Sequence, residues 1–584
     1  MNHRIVEKLF FHIPLRFHDG KAIPALRTVA VGFCLASLIN SVAYALEPGT
    51  TIPRSPQFDL PPLPPATDTA PKLDAPPVLP PLPAGEDTTP RFVLKAVRFH
   101  GNRAVDDATL QQQIAGYLGK AVSYADLEAM RYQLSVFYLQ QGYLNSGAVL
   151  NDQAIQDGVV DFDIVEGRLS AVHVTGHDGL HEEYIVGRMQ LDAEEALRRD
   201  TLQERFQLLL SDPLIERLNG ALRPGAQPGE TVLDLAVTRA QPYGLNVIFD
   251  NHTPPSIGSY TGRGEGFVRN LTGWGDLLAL GVNYSEGSKG FNAFYSIPVT
   301  RYDTRLIAAF QANNADIVEN ALKRFNIETD FFNVEFGVSQ PLYRSLQHHF
   351  SVDARFAYRE VDSAIGRFAT GFGPGDSVDG ETRVSVLRLS QQYQGRFAEQ
   401  AFSARSTFNV GFDAFNATLH PSGPDSRFFS WLGQLRFAQK LGDSGAQFLL
   451  RADIQLAADE LLTLERYALG GYRSVRGYRE NSLVRDEGYA LSGELRYPLL
   501  MAHNPSEVSL QVAPFVDIGE AWGQDRNDHR MLFSAGVGLL SSWQMFDFQV
   551  YWAHPFHKRI TSVQPSQYDL QDDGLHLQLT TKVF

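Results

Sequence analysis

The chain has 584 residues, too many for one compact core, so several domains are expected. Its net charge of −15, with no long basic block, argues against a nucleic-acid partner. A mean hydropathy of −0.19 excludes a bundle of membrane-spanning helices but not a membrane β-barrel, whose strands are apolar on one face only.

Residues 1–45 read as a signal peptide. Arg4, Lys8, Arg16, Lys21 and Arg27 make the front basic, an apolar run follows from Val29 to Ile39, and Ala43-Tyr44-Ala45 supplies a small-x-small cleavage site. The apolar run is too short to span a bilayer. Cys34, the chain's one cysteine, falls inside this segment, so the mature chain is expected to have no disulfide and no Cys-based metal site. Residues 46–90 form a Pro-rich periplasmic linker, with Pro61-Pro62-Leu63-Pro64-Pro65 and Pro80-Pro81-Leu82-Pro83. Such a composition favours an extended spacer of about 3.1 Å per residue. Pro48, Pro53 and Pro56 deny the stretch from Leu46 to Leu60 a helix.

Residues 91–240 contain an internal repeat. Ala96-Val-Arg-Phe-His-Gly-Asn102 recurs as Ala171-Val-His-Val-Thr-Gly-His177, and Val160-Asp-Phe-Asp-Ile164 as Leu233-Asp-Leu-Ala-Val237. The first unit, 91–167, reads as an alternating strand from Phe92 to Phe99, a helix around 107–118 and a second helix capped by Ser123 with Asp126 three residues on. Leu127, Met130, Leu134, Phe137 and Tyr138 form its apolar face, Gly142 ends it, and two strands near 146–150 and 158–165 close the unit. The second unit, 168–240, repeats the plan, with a helix near 201–210 and a hairpin whose tip runs from Pro224-Gly225 to Pro228-Gly229. This β-α-α-β-β order resembles the POTRA domain. An exposed sheet edge in such a unit can pair with an extended client segment.

Residues 241–584 alternate like barrel strands. Leu278, Leu280, Val282 and Tyr284 face away from Ala279, Gly281 and Asn283; Tyr489, Leu491, Leu495 and Tyr497 face away from Ser492, Glu494 and Arg496; Phe546, Phe548, Val550 and Trp552 face away from Asp547, Gln549 and Tyr551. The inward sets are polar, which predicts a transmembrane antiparallel β-barrel with a wet lumen. Asp572-Asp-Gly574 suits a tight hairpin before the last strand.

Two stretches stand out within that region. Val475-Arg476-Gly477-Tyr478 sits in a glycine-rich loop, and Phe515-Val516-Asp517-Ile518-Gly519 follows on a strand. Val508, Leu510, Val512, Val516 and Ile518 share one face of that strand, so Asp517 turns to the lumen. A carboxylate there needs a partner, and an arginine offers a two-pronged one. The loop is therefore expected to fold inward and pair Arg476 with Asp517.

These two motifs, at this separation, resemble the sixth extracellular loop and following strand of two-partner secretion transporters, the TpsB family of POTRA-plus-barrel outer-membrane proteins. Asn270-Leu-Thr-Gly-Trp-Gly-Asp276, Tyr295-Ser-Ile-Pro298, Gly493-Glu-Leu-Arg-Tyr-Pro498 and Tyr138-Leu-Gln-Gln-Gly-Tyr143 resemble the family as well, and the terminal Phe584 resembles a signal read by the outer-membrane assembly machinery. The resemblance implies α+β POTRA repeats followed by a sixteen-stranded barrel, in the outer membrane of a Gram-negative bacterium with the POTRA units in the periplasm. It implies export of a large secreted partner, a TpsA-like adhesin, haemolysin or similar, captured by residues within 91–240. It gives Arg476 and Asp517 the task of holding the loop, Gly477 and Tyr478 that of shaping and packing its tip, with Val475, Phe515 and Gly519 completing the two motifs. The alternatives from the same parts are a barrel-assembly factor and, from another class, a passive porin or adhesive surface barrel.

No P-loop, HExxH or G-x-S-x-G is present, and no cofactor or enzyme activity is expected. Gly371-Phe-Gly-Pro-Gly375 follows no βα crossover and reads as a loop turn. His348-His349 would face opposite ways in a strand, so no metal site is expected there.

Overall fold

The computed structural model describes residues 91–190, 195–320, 322–502, 504, 506–523, 530–557 and 568–583. The expected signal peptide, Pro-rich linker and terminal Phe584 lie outside the described residues.

The first POTRA unit runs β1 (Phe92–Val93), β2 (Ala96–His100), α1 (Asp107–Ile114), β3 (Ala121–Val122), α2 (Tyr124–Gln140), β4 (Gly147–Val149) and β5 (Val159–Val165). The single strand expected from Phe92 to Phe99 is two. At Leu94 the chain bonds to Lys120, and at Lys95 it crosses to Gly158, so β1 pairs with β3 while β2 runs parallel to β5. Alternation alone does not reveal a change of partner. Ser123 and Asp126 form a reciprocal capping box at the start of α2. Leu127, Met130, Leu134 and Tyr138 bury against Phe99, Val160 and Phe162. The Tyr138 hydroxyl donates to Glu166 Oε1 at 3.0 Å, and burial together with that carboxylate pushes its pKa far above the usual tyrosine range. It therefore stays a donor, tying the helix to the junction with the second unit.

The second unit runs β6 (Arg168–Thr175), α3 (Glu182–Met189), α4 (Arg199–Leu210), β7 (Ile215–Pro224) and β8 (Glu230–Arg239). The sequence pattern missed α3: no side chain caps it, and Gly187 interrupts it. This helix rests on the barrel. Its Tyr184 donates to Asp212 at 2.7 Å, and Arg188 stacks on the Tyr184 ring while donating to Asp303 at 2.9 Å. The barrel's contribution is the 270–276 turn: His181 N–H donates to Gly273 at 2.8 Å and Asn270 to Gly179 at 2.8 Å. A Cβ at Gly275 would run into the Tyr184 ring. Close approach thus explains both glycines of the Asn270–Asp276 stretch.

Sixteen long antiparallel strands close the barrel. They are β9 (Tyr243–Asp250), β10 (Thr261–Arg269), β11 (Leu277–Tyr284), β12 (Ser288–Pro298), β13 (Arg305–Asp316), β14 (Ile327–Arg344), β15 (His348–Ile365), β17 (Glu381–Arg396), β18 (Gln400–Gly411), β19 (Phe429–Leu441), β20 (Ala446–Ala457), β23 (Glu487–Leu500), β24 (Ser509–Trp522), β25 (Arg530–Trp543), β26 (Phe546–Pro555) and β27 (Leu575–Lys582). A two-residue strand, β16 (Phe368–Ala369), pairs only with the end of β15, and β21 (Tyr467–Leu469) pairs with β22 (Leu483–Arg485) at the base of one loop. The ring closes where β27 meets β9, from Gln578 opposite Asp250 to Lys582 opposite Asn246. Val282, Tyr284, Leu495, Tyr497, Phe548 and Trp552 are exposed on the outer face, whereas Ser492, Glu494 and Tyr551 are buried inside. Asp572-Asp-Gly574 is not a tight hairpin. It belongs to a 3₁₀ turn (Leu570–Asp573) late in the long connection between Pro555 and Leu575.

Candidate functional site

The β21–β22 hairpin projects its loop into the barrel and lays it against β23–β27. Val475, Arg476, Gly477 and Tyr478 of the first motif and Phe515, Asp517 and Gly519 of the second take part, while Val516 and Ile518 face outward. Asp517, directly opposite Ser492 on the neighbouring strand, is fully buried, and Arg476 is 3% exposed. Arg476 Nε donates to Asp517 Oδ2 at 2.8 Å and Nη2 to Oδ1 at 2.9 Å, a side-on fork. Its backbone N–H also donates to Asp517 Oδ2, at 3.0 Å. Two further guanidinium donors go to Glu494 Oε2 at 2.6 Å and Ser492 Oγ at 3.0 Å. Glu494 accepts in turn from Arg496 at 2.7 Å and Tyr551 at 3.2 Å. Arg476 and Arg496 thus pair with Asp517 and Glu494. Arg476 and both carboxylates are buried, and buried charge is tolerated only when so paired; Arg496, 33% exposed, opens towards the lumen.

The aromatic residues complete the cradle. The Arg476 guanidinium carbon lies 3.5 Å from the Phe515 ring centroid and 4.8 Å from that of Tyr551. This is cation–π geometry in a desolvated setting. Gly519 has a different task. A Cβ there would stand 2.7 Å from Leu469 and 3.1 Å from Val475, so the glycine is the notch that admits both apolar side chains. Val475 and Leu469, fully buried, join Tyr467, Tyr478, Leu483, Ala521 and Leu532 in one apolar cluster.

The loop tip reaches the end of the chain. Gly477 has φ +93, a conformation that costs other L-residues, and a Cβ would sit 3.0 Å from Ala553. Its N–H donates to His576 Nε2 at 3.2 Å. The Tyr478 hydroxyl donates to the Phe533 carbonyl at 3.1 Å and accepts from the backbone N–H groups of Phe533 and His557. Arg479 makes a second fork, to Asp572 at 2.7 and 2.8 Å, and Glu480 N–H donates to Gln571 at 2.9 Å. Tyr472 stacks on His252 with ring centroids 3.8 Å apart.

Sequence reasoning named Arg476 and Asp517 but missed the other partners of the arginine. Ser492 and Glu494 were read as inward-facing, which was the available signal, but the register that sets them beside Asp517 is not visible in the pattern. Arg479, Asp572 and His576 carried no signal beyond their residue type. His348-His349 opens β15, where His348 Nδ1 lies 2.7 Å from the Tyr393 hydroxyl. Among the described residues no cluster of His, Cys, Asp or Glu is arranged to hold a metal ion.

Comparison with known proteins agrees with this architecture. Residues 229–540 match the family model described as haemolysin secretion/activation protein ShlB/FhaC/HecB, and residues 92–167 match the ShlB-type POTRA domain. The heme/hemopexin transporter protein HuxB of Haemophilus influenzae is 24% identical over 496 residues, covering 80% of this chain and 84% of HuxB. The outer membrane transporter CdiB of Dickeya dadantii is 22% identical over 492 residues, 79% of this chain and 82% of CdiB. The solved structure of CdiB from Escherichia coli shares the fold, with a TM-score of 0.65 at 18% identity over 88% of this chain and 94% of that one. A closed barrel with a polar lumen and an outward apolar face, carrying POTRA units at its periplasmic end, is an outer-membrane protein. The chain belongs to the ShlB/FhaC/HecB family, the outer-membrane transporters of two-partner secretion.

Proposed function

We propose that this protein exports one large partner protein, a TpsA-like adhesin, haemolysin or similar. Residues within 91–240 receive the partner's N-terminal secretion region in the periplasm, and the unfolded partner passes through the lumen and folds outside. The observation that carries this reading is a lumen partly filled by a loop held on polar ties, in a barrel that bears periplasmic docking units. A passive pore needs neither.

In this reading Val475, Arg476, Gly477, Tyr478, Phe515, Asp517 and Gly519 hold the loop in its working position. Residues 1–45 direct export of the chain and 46–90 space it from the POTRA units, with domain limits at 91–167, 168–240 and 241–584. Outer-membrane lipids contact the barrel's outer face, and the assembly machinery is a partner during biogenesis. Client binding and folding supply the driving force, with no catalysis by this chain.

The test is co-expression with a large exported protein encoded beside this gene, if one exists, assaying the medium for wild type, Arg476→Ala and Asp517→Ala after checking that each barrel assembles. Release by wild type with a sharp drop in both variants is expected. Release unaffected by either substitution removes the loop from the mechanism, and no release by wild type overturns the export reading itself.

A further inference from the structure

The loop leaves one side of the lumen uncovered, and that side has its own chemistry. Strands β9–β13 turn Asn246, Asn283, Asn292, Gln311 and Asn313 inward. Across β11–β13 they form two rows, Asn283–Gly290–Asn313 and Gly281–Asn292–Gln311. The glycines are spaces. A Cβ at Gly290 would run into the carboxamide oxygens of Asn283 and Asn313, and one at Gly281 into the Asn292 carboxamide. The amides therefore lie flat along the wall. Gln311 is 7% exposed, and its Oε1 has no hydrogen-bond partner among the described residues. The same holds for Oδ1 of Asn333, which lies opposite Gln311 on β14.

A cavity runs along this wall from Arg269 and Leu277, at the periplasmic end, to His252 and Pro254, at the outer end, with Asn246, Asn283, Asn292 and Asn313 in its lining. A second cavity, beneath the POTRA unit that rests on the barrel, includes Tyr184 and Asp212 and shares Arg269, Leu277 and Phe294 with the first. The two cavities adjoin at those shared residues.

We propose that this amide wall is a track for the extended backbone of a polypeptide in transit. The proposal rests on the export reading and specifies the path and the chemistry of contact. Successive rows on a strand are two residues apart, about 6.6–6.8 Å, the repeat at which an extended chain presents its N–H and C=O groups on one edge. A carboxamide carries both a donor and an acceptor. It can bond a peptide group whatever side chain follows, and exchange it for the next. The β15–β20 wall is unsuited to this. Arg388 is bonded to Glu465, and Arg436 to Asp453, so it offers fixed charges that attract or repel a passing chain according to its sequence; beside the track the Asp250–Arg263 pair of β9 and β10 does the same, and the two rows on β11–β13 carry no charge.

The test uses purified full-length protein in liposomes, with Cys34→Ser and one new cysteine at a time: Asn292→Cys, Asn313→Cys, or Ser390→Cys on β17 as the far-wall control. The probe is a 25-residue unstructured, uncharged Gly/Ser/Thr peptide with an N-terminal bromoacetyl group, which a thiolate alkylates with loss of bromide. Bromoacetamide calibrates the intrinsic reactivity of each thiol. After that correction, the peptide is expected to label positions 292 and 313 at least fivefold faster than position 390. Adding Asn283→Leu should lower peptide labelling at 292 severalfold and leave bromoacetamide labelling unchanged. Equal corrected rates on the two walls, or no effect of Asn283→Leu, overturn the track. No peptide labelling at 292 in the full chain, with labelling restored by deleting residues 46–90, overturns it in favour of that segment as the occupant. Because the probe is not the exported partner, failure here and failure of the export assay are separate results.

Discussion

The two sides of the lumen are built from the same alternating strands and do opposite things with their inward residues. On β23–β27 the inward set is charged and aromatic, and it fixes one loop in one geometry through a fork, a ring stack and a glycine notch. On β11–β13 the inward rows are uncharged amide with glycine between, beside the Asp250–Arg263 ion pair of β9 and β10, and Asn283 reaches only as far as Asn313, at 3.4 Å. Directional bonds to a charge, shut away from water, specify a single occupant. Neutral amides facing a cavity do not. A barrel can thus carry a rigid clamp and an unselective surface on one ring of strands, because alternate positions are free to vary without disturbing the outer, lipid-facing set.

The largest expected break in this contrast is Arg476→Ala. It leaves Asp517 and Glu494 buried without their shared arginine, a change that costs about 3–5 kcal/mol when one partner of a buried pair is removed. Trypsin added to intact cells should then cut the loop at Arg473 or Arg479, sites protected in wild type. Gly519→Val comes next. Its side chain collides with Leu469 and Val475, an overpacking cost of about 1–3 kcal/mol, and should give partial loop cleavage and reduced export with the barrel still assembled. Arg479→Ala removes the fork to Asp572, where the arginine side chain is 18% exposed. A loss of about 1 kcal/mol is expected, visible as slower but measurable loop cleavage. Asn283→Leu, on the opposite wall, should change thermal stability by no more than about 0.5 kcal/mol and leave the loop protected. Loop cleavage in that variant would show that the two walls are not independent.

Much of this was legible because β-strands convert residue parity into direction. The parity of Val508–Ile518 was enough to turn Asp517 inward, and the glycine-rich loop around Arg476 was enough to bring it there. What parity does not encode is register. Glu494 and Ser492 were visibly inward, but their placement beside Phe515 and Asp517 depends on how β23 and β24 slide past each other, which the connecting residues set. The POTRA units show a related limit. The Ser123–Asp126 box announced α2, while α3 has no cap and owes its position to Tyr184 and Arg188 packing on the barrel. Along the β9–β13 wall the alternation of Leu278–Tyr284 was read, and the amide rows emerged only when β11, β12 and β13 were seen side by side.

The loop tip leans on the last hairpin of the chain: Gly477 against Ala553 and His576, Arg479 on Asp572. Those supports stand on β26, on β27 and in the connection between them, beside the seam where β27 meets β9 and closes the ring. The clamp therefore closes only on a finished cylinder, and a barrel halted before its last two strands has nowhere to seat the tip. The inward position of the loop doubles as a certificate of completion, written by geometry and legible to any protease on the outside of the cell.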